Sequence, residues 1–298
     1  MPSKTNIAAT YMLLVFIWST TPLAIVWSVS DIHNIWALAL RFFIALPFSF
    51  LLLWFVKVNF PLDRTSIHSY VAGAFSFIGS QIFTYLATSY LSSGIIALMF
   101  GLAPIMTGLI GHFVFKINLH RLQWIGMIIA LLGLCIICLG ETNHHIHPIG
   151  IALMLVSVFV YCASIYWVKK VNAPLQPMAQ ASGSILVSSL FALCLLPFVW
   201  QYAPTHIPST KSLIGLFYAV IMASLIAMIC YFKLVQNIKA TTLSLTTVLT
   251  PMLAMMFGAL LNNEKLTSMV FIGASILLFG LFIYFYKDLK GNKLEKTS

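Results

Sequence analysis

The sequence predicts an all-α integral membrane protein of about ten transmembrane helices, arranged as two inverted repeats of five helices. Three observations predict this fold: an extreme hydrophobic composition, apolar runs of about twenty residues along the whole chain, and a repeated pattern of proline and glycine. Hydrophobic residues make up 61% of the 298 positions and charged residues only 7%. Soluble domains carry about 25% charged residues, so the composition excludes a soluble fold.

Ten apolar segments have the length of a membrane-spanning helix. The first is too long for the core of a signal peptide and lacks a convincing small-residue cleavage site, so it is predicted to be retained. The remaining links leave no room for a soluble domain. The predicted spans are 7–29, 34–56, 68–90, 93–115, 122–140, 149–168, 178–199, 212–232, 240–261 and 267–286.

Lysine and arginine are distributed unevenly between the two sets of links. The N-terminus and the links after the even-numbered spans hold Lys4, Lys57, Arg64, Lys116, Arg121, Lys169, Lys170, Lys233, Lys239, Lys287, Lys290, Lys293 and Lys296, and the opposite links hold only Lys211 and Lys265. Positive charge stays on the cytoplasmic side. The pattern predicts a multi-pass protein of the cell membrane (inner or plasma membrane) with both termini cytoplasmic, and it explains the net charge of +10 without nucleic acid.

A shift of 147 residues, from Pro104 to Pro251, superimposes the fourth and fifth spans on the ninth and tenth. Glycines follow the same shift, with Gly126 matching Gly273 and Gly133 matching Gly280 in the last span of each half. This self-similarity predicts a duplication, with a first repeat at 1–147, a second at 148–290 and a basic cytoplasmic tail at 291–298. Because five spans is an odd number, the two repeats enter the membrane in opposite senses, which is typical of carriers that work by alternating access.

Several short motifs resemble the drug/metabolite transporter superfamily, EamA type, and together they cover almost the whole chain. They are Trp18-Ser-Thr-Thr-Pro22, Leu40-Arg-Phe42, Leu102-Ala-Pro104 with its partner Leu249-Thr-Pro251, and Glu264-Lys-Leu-Thr267 before the last span. One departure is clear. The family often has a Gly-Glu pair after the fourth span, where this chain has Phe115-Lys-Ile-Asn118, whereas the second half keeps Glu264 after Asn263.

The resemblance implies a secondary carrier that exports small metabolites, often amino acids or related compounds. Uptake is an alternative, because an inverted repeat has no intrinsic direction of transport. A membrane-embedded enzyme is a less favoured alternative, since it needs buried acid–base or metal constellations and all six acidic residues lie in links or tails. A channel or scaffold also stays open. No phosphate-binding loop is present, so ATP is not predicted as the direct energy source, and no cofactor is predicted.

Arg41 is the one clear charge inside a predicted span, and intramembrane charges are functional candidates. Its planar guanidinium can clamp a substrate carboxylate. The alternative, favoured because the resembling family often has arginine here whatever its substrate, is a structural or gating role. The absence of an acidic residue inside the spans argues against a strongly cationic substrate.

A second set of candidates combines aromatic rings with hydroxyl and amide groups. These side chains would form an amphipathic pocket for an uncharged or zwitterionic molecule, although aromatic residues also pack and hydroxyls also bond within helices. The predicted substrate-binding or translocation residues, with Arg41, are Trp18, Ser19, Thr20, Gln81, Tyr85, Tyr161, Ser244 and Thr247.

Prolines within the spans are predicted hinges, because proline removes a backbone hydrogen bond and kinks its helix. The three candidates are Pro22, Pro104 and Pro251. No metal site is predicted. The histidines 144, 145 and 147 are interpreted as a solvated link rather than ligands, and the five cysteines all fall inside apolar runs, which is not a disulfide framework.

Overall fold

The computed structural model describes residues 4–116, 118–140, 147–237, 246–264 and 267–294. In these ranges, eight helices are long and apolar enough to cross a membrane. Two further helices, whose apolar parts are the shorter segments Arg121–Ile137 and Leu249–Asn262, bring the number to ten. No strand is present in the described ranges. The prediction of an all-α membrane protein with ten helices is therefore confirmed.

We number the ten helices α1 to α10 in chain order. The predicted start of the ninth span, at 240, lies outside the described residues, and the last helix continues well past the predicted end at 286. The bounds are α1 Lys4–Ser28, α2 Asn34–Val56, α3 Arg64–Ala87, α4 Ser93–Phe115, α5 Arg121–Gly140, α6 Pro148–Val171, α7 Pro177–Val199, α8 210–237, α9 Thr246–Asn262 and α10 Ser268–Leu294.

Capping side chains and prolines mark the starts of several helices. Asp63 caps α3, since its carboxylate accepts the Ser66 backbone N–H at 3.1 Å and the Ser66 hydroxyl at 2.5 Å. Both α6 and α7 begin with proline, at Pro148 and Pro177, where the missing N–H costs no hydrogen bond. These signals place the links, and so the faces on which the links lie.

The third helix of each repeat contains a π-helical segment. It covers Phe75–Gly79 in α3 and Ala219–Ile226 in α8. Segments of this kind widen a helix locally and are frequent at functional sites. Their presence at the same place in both halves shows that the repeat extends to local backbone irregularities.

The three predicted hinge prolines lie in different local structures. The fourth helix is interrupted between its segments Ser93–Phe100 and Ala103–Phe115, and Pro104 lies in the first turn of the second segment. By contrast, α1 continues through Pro22, and α9 continues through Pro251. A proline in a first turn breaks no helical bond, so the two prolines that the repeat pairs are not equivalent in structure. Their role as hinges stays a prediction.

Each main helix contact has a counterpart between the helices that hold the same positions in the other repeat, where α1 corresponds to α6, α2 to α7, and so on. Helices α2 and α7, α4 and α9, and α5 and α10 pair directly, whereas the α1–α8 contact is matched by α6–α3 and the α1–α9 contact by α6–α4. This pattern is expected when two inverted repeats are related by a twofold axis in the membrane plane. The two-repeat architecture is therefore present in the packing as well as in the sequence.

Links lie alternately on two faces of the bundle, because successive spanning helices run in opposite directions. We call the face with the links after α1, α3, α5, α7 and α9 the lysine-poor face, since only Lys211 and Lys265 lie in or directly beside these links. The opposite face, with the links after the even-numbered helices, is the lysine-rich face.

The closest helix pair is α5 with α10, and glycines bring their backbones together. A methyl group on Gly126 would lie 2.6 Å from the Gly280 carbonyl oxygen, and one on Gly133 would lie 2.6 Å from the Gly273 carbonyl oxygen. The reverse contacts are equally short. Small residues let membrane helices approach closely, where dispersion forces rather than the hydrophobic effect hold them. The four glycines that define the repeat therefore form the contact between the repeats.

Replacing Gly133 with alanine tests this contact. The added methyl group would lie 2.5 Å from the Leu277 backbone nitrogen, so the helices must separate, and we expect the free energy of unfolding to fall by about 1–3 kcal/mol. The matched control is Leu132→Ala at a lipid-facing side chain that is 55% exposed, which we expect to change stability by less than about 1 kcal/mol. Denaturant titration in mixed micelles measures both, and equal effects of the two substitutions would contradict the assignment.

Candidate substrate site

Arg41 lies in the interior of the bundle and joins three helices. Its side chain is only 5% exposed. The Nε–H donates to the Ser224 hydroxyl of α8 at 3.0 Å, and one Nη1–H donates to the Gln81 side-chain oxygen of α3 at 3.2 Å. Since α2 and α3 belong to the first repeat and α8 to the second, the guanidinium connects the two repeats.

The partners of Arg41 are neutral, so its charge is balanced only by dipoles. No acidic side chain hydrogen-bonds the guanidinium in the part of the chain that the structure describes. Burying a charge without a counter-ion is costly, and the Phe42 ring, 5.9 Å from the guanidinium carbon, offers a weak additional contact. Ser224 lies in the π-helical segment of α8, where its hydroxyl also donates to the Ala219 carbonyl at 3.0 Å. This arrangement leaves the guanidinium suited to an anionic group.

Aromatic side chains from both repeats form a second group, which we call the aromatic cluster: Trp18 of α1, Phe100 of α4, Tyr161 of α6 and Tyr231 of α8. The rings of Trp18 and Tyr231 lie 5.4 Å apart, and those of Phe100 and Tyr161 are edge to face at 6.1 Å. The phenols of Tyr161 and Tyr231 lie within electrostatic range of each other. Both tyrosines are half-buried and lie on helices of the second repeat, facing the rings of the first.

Hydroxyl groups of α1 divide between two roles. The Thr20 hydroxyl pairs with the Tyr218 hydroxyl of α8, which joins the repeats near the aromatic cluster. The Ser19 hydroxyl donates to the Val15 carbonyl of its own helix at 2.6 Å, as buried serines in membrane helices often do. Thr20 is therefore the hydroxyl of this motif that reaches the neighbouring repeat.

Gln81 and Tyr85 lie one turn apart on α3, as their spacing predicts. Gln81 binds Arg41, whereas Tyr85 is fully buried and its hydroxyl finds no hydrogen-bond partner among the residues that the structure describes. The Tyr85 carbonyl accepts a hydrogen bond from the Asn34 side chain at 2.7 Å, at the lysine-poor end of α3. An unpaired buried hydroxyl costs about 1–3 kcal/mol, so Tyr85 is a polar group available to a ligand or to another conformation.

Several predicted residues cannot be placed in this site. Ser244 lies outside the described residues, and the structure describes the backbone of Thr247 in α9 but not its side chain. The hydroxyl of Thr250, next to Pro251, is buried and has no partner within the described ranges. Of the histidines in the α5–α6 link, 144 and 145 lie outside the described residues, and His147 accepts the Ile149 N–H at 3.2 Å as the cap of α6.

The sequence alone did not indicate four residues that contact the predicted ones: Phe100, Tyr218, Ser224 and Tyr231. Three of them lie on α8. A signal was available, because Tyr218, Ser224 and Tyr231 are polar residues inside an apolar span. The missing information was which helices are neighbours, which depends on the twofold packing.

The model of the EamA-like transporter family matches residues 6–139 and 148–286, one match for each repeat. The chain belongs to this family. The resemblance drawn from the short motifs is therefore confirmed, together with membrane localisation and a transport class.

Three relatives each match between 67% and 84% of this chain, and two of them have names that refer to transport. Protein PagO of Salmonella typhimurium is 25% identical over 84% of this chain and 83% of its own length. The uncharacterized inner membrane transporter YedA of Escherichia coli K12 is 23% identical over 68% of this chain and 65% of its own. A probable amino-acid metabolite efflux pump of Escherichia coli K12 is 23% identical over 67% of this chain and 70% of its own. A crystal structure aligns over 98% of this chain and 100% of its own with a TM-score of 0.68 at 15% identity, which shows the fold.

A double-mutant cycle between Arg41→Lys and Ser224→Ala tests the bridge between the repeats. Lysine keeps the charge but lacks the Nε–H that binds Ser224, so we expect a coupling energy of about 1–2 kcal/mol in stability. The control pairs Arg41→Lys with Ser188→Ala, whose hydroxyl donates to the Ser184 carbonyl of its own helix at 2.7 Å. Unfolding titrations of the variants measure both cycles, and a coupling energy as small as the control's would contradict the bridge.

Proposed function

We propose that the chain is a secondary transporter that exports small metabolites, amino acids or similar zwitterionic and uncharged amphipathic compounds, across the cell membrane by alternating access. The observation that carries the proposal is the position of Arg41 and the aromatic cluster, each built from both repeats. A site between two inverted repeats is exposed to one side and then to the other when the repeats move against each other.

The chemistry of the two groups supports a zwitterionic or amphipathic substrate. Arg41 offers a delocalised positive charge that has no acidic partner among the described residues, which suits a carboxylate. Trp18, Tyr161 and Tyr231 offer ring faces for apolar groups, and an ammonium group can bind to such faces by a cation–π contact. Together they favour a molecule with a carboxylate at one end and an apolar or weakly cationic part at the other.

Two further parts of the proposal concern placement in the membrane. The excess of lysine on one face supports an orientation with both termini in the cytoplasm of the cell. We retain the repeat boundaries at 1–147 and 148–290, with the basic tail at 291–298, as the units that move against each other. The direction of transport follows from the substrate gradient. Export is supported by the name of the Escherichia coli relative, which refers to efflux of an amino-acid metabolite.

Counterflow in proteoliposomes tests the function. A labelled panel of amino acids, nucleosides, vitamins and lipophilic cations should give saturable exchange of one class, and Trp18→Ala should slow that exchange at least about tenfold, as expected for loss of a ring contact and of packing. The matched control is Trp54→Ala, because Trp54 is 72% exposed on the lipid-facing surface of α2. Absence of exchange for every compound, from folded protein, would contradict the proposal.

The substitution Arg41→Gln tests whether Arg41 binds the carboxylate of the substrate or acts only as a gate. The competitors are an amino acid and its amide, in which a neutral carboxamide replaces the carboxylate. If Arg41 binds the substrate carboxylate, the variant should lose its preference for the acid over the amide by about tenfold, so that the two compete similarly. If Arg41 acts only through the bridge to Ser224, both competitors should weaken equally. Competition against the labelled substrate in the same vesicles gives the result, with Arg41→Lys as the charge-preserving comparison.

A further inference from the structure

A carboxylate of the second repeat holds the start of a helix of the first. Glu264, in the link after α9, accepts the backbone N–H groups of Ser93 and Gly94 at 3.1 and 3.2 Å, and the Ser93 hydroxyl at 2.6 Å. These are the first residues of α4, where free backbone donors and the helix dipole favour a negative charge. Hydrogen bonds to a charged acceptor are stronger than neutral ones, so this contact fixes α4 to the end of α9.

A carboxylate of the first repeat holds the start of a helix of the second in the same way. Asp31, in the link after α1, accepts the backbone N–H of Ser209 at 2.5 Å and the hydroxyl of Ser212. Ser209 is the cap residue of α8 and itself accepts the Ser212 N–H at 3.3 Å. Both carboxylates lie on the lysine-poor face, and each crosses the boundary between the repeats.

Asn262 joins these contacts into one network. Its side-chain nitrogen donates to Glu264 at 3.1 Å, while its side-chain oxygen accepts from the Trp27 ring nitrogen of α1 at 3.0 Å and from the Lys211 ammonium of α8 at 3.1 Å. The ends of α1, α4, α8 and α9 are therefore tied together on this face.

The turn after α9 aims Glu264 at α4. Asn263 has a positive φ of 51°, and the Glu264 N–H returns to the Gly258 carbonyl at 3.2 Å. Asparagine is one of the few residues that adopt this left-handed conformation readily. A methyl group on Gly258 would lie 2.5 Å from a carboxylate oxygen of Glu264, so the glycine leaves the space that the carboxylate occupies.

The lysine-rich face has the same backbone turn without the carboxylate. The helix α4 also ends at a left-handed residue, Lys116 with φ of 54°, which the shift of 147 pairs with Asn263. The next residue in sequence is Ile117, where the second repeat has Glu264, and the link 172–176 after α6 contains no acidic residue. The repeats are thus symmetric in fold and asymmetric in charge.

We propose that Asp31, Asn262 and Glu264 form a latch that holds the lysine-poor face closed, and that the carrier without substrate rests open toward the lysine-rich face. This inference rests on the proposed function, because it assumes alternating access. With the lysine-rich face in the cytoplasm, a resting carrier would be ready to take substrate from the cytoplasm, as an exporter requires.

Hydrogen bonds to the Asp31 end of the latch favour the charged form of this carboxyl. The hydrogen bonds from Ser212 and then Ser209 hold the pKa of the Asp31 carboxyl below its ordinary value, and His206 adds to this effect. A group with a lowered pKa contributes stability that is present above the ordinary carboxyl value of about 3.9 and is lost as the pH falls through the lowered one. The other titratable groups of the network are Lys211, His206 and Glu264.

Hydrogen exchange of the full chain in lipid nanodiscs tests the latch without any substrate. The double variant Asp31→Asn with Glu264→Gln keeps the shapes of the side chains but removes their charges. We expect exchange to rise at least about threefold at Ser93, Gly94 and Ser209, because neutral acceptors bind N–H groups more weakly. At the same time, exchange at the lysine-rich ends of α4 and α6 (108–115 and 164–171) should fall as that face closes.

Asp63→Asn is the matched control, because Asp63 caps α3 within its own repeat. It should raise exchange only at the start of α3. Each single latch variant should change exchange in the same direction as the double variant, with a smaller effect. The single variants therefore test the latch even if the double variant folds poorly. A rise confined to the capped residues, with no fall on the opposite face, would overturn the latch, as would no change at all. Counterflow reports whether the protein is a carrier, and hydrogen exchange reports whether the latch exists. Failure of the proposed function and failure of the latch can therefore be told apart.

Discussion

The close contact between α5 and α10 is the constraint on which the rest of the structure depends. Gly126 and Gly133 meet Gly273 and Gly280 backbone to backbone, so any larger side chain separates the helices. A gap of about 0.5–1 Å between packed atoms already loses a quarter to a half of their dispersion energy. The distance between the two helices therefore cannot increase gradually without loss of the contact. If the repeats move against each other as proposed, this contact is the place where they stay together.

Polar contacts between the repeats are placed away from this hinge and are of a different kind. The Arg41 bridge and the Thr20–Tyr218 pair lie inside the bundle, whereas Asp31, Asn262 and Glu264 lie on the lysine-poor face. Hydrogen bonds between membrane helices contribute about 0.6 kcal/mol on average and up to about 1.7 kcal/mol, and those to charged groups belong to the stronger ones. Contacts of this strength can break and form again during a transport cycle, which packed glycines cannot.

The fold was largely predictable because its signals are local. Span length, lysine distribution and the 147-residue shift require no knowledge of neighbours, and the ten helices follow from them. The site was predictable only in part. Arg41 and Gln81 meet as partners, but Ser224 and Tyr231 lie on α8, and their closeness to Arg41 and Trp18 depends on the twofold packing. The π-helical segments and the carboxylate caps were invisible for the same reason, since both depend on tertiary contacts.

The most direct test of alternating access is a set of distances between spin labels on single-cysteine pairs in a cysteine-free background. One pair, at Ser89 and Thr205, spans the lysine-poor face; a second, at Asn59 and Lys170, spans the lysine-rich face; and a third, at Leu132 and Phe271, marks α5 and α10. Substrate should change the first two distances in opposite directions and leave the third unchanged. Distances on both faces that stay fixed, or that change together with the third, would contradict a carrier hinged at its glycine contact.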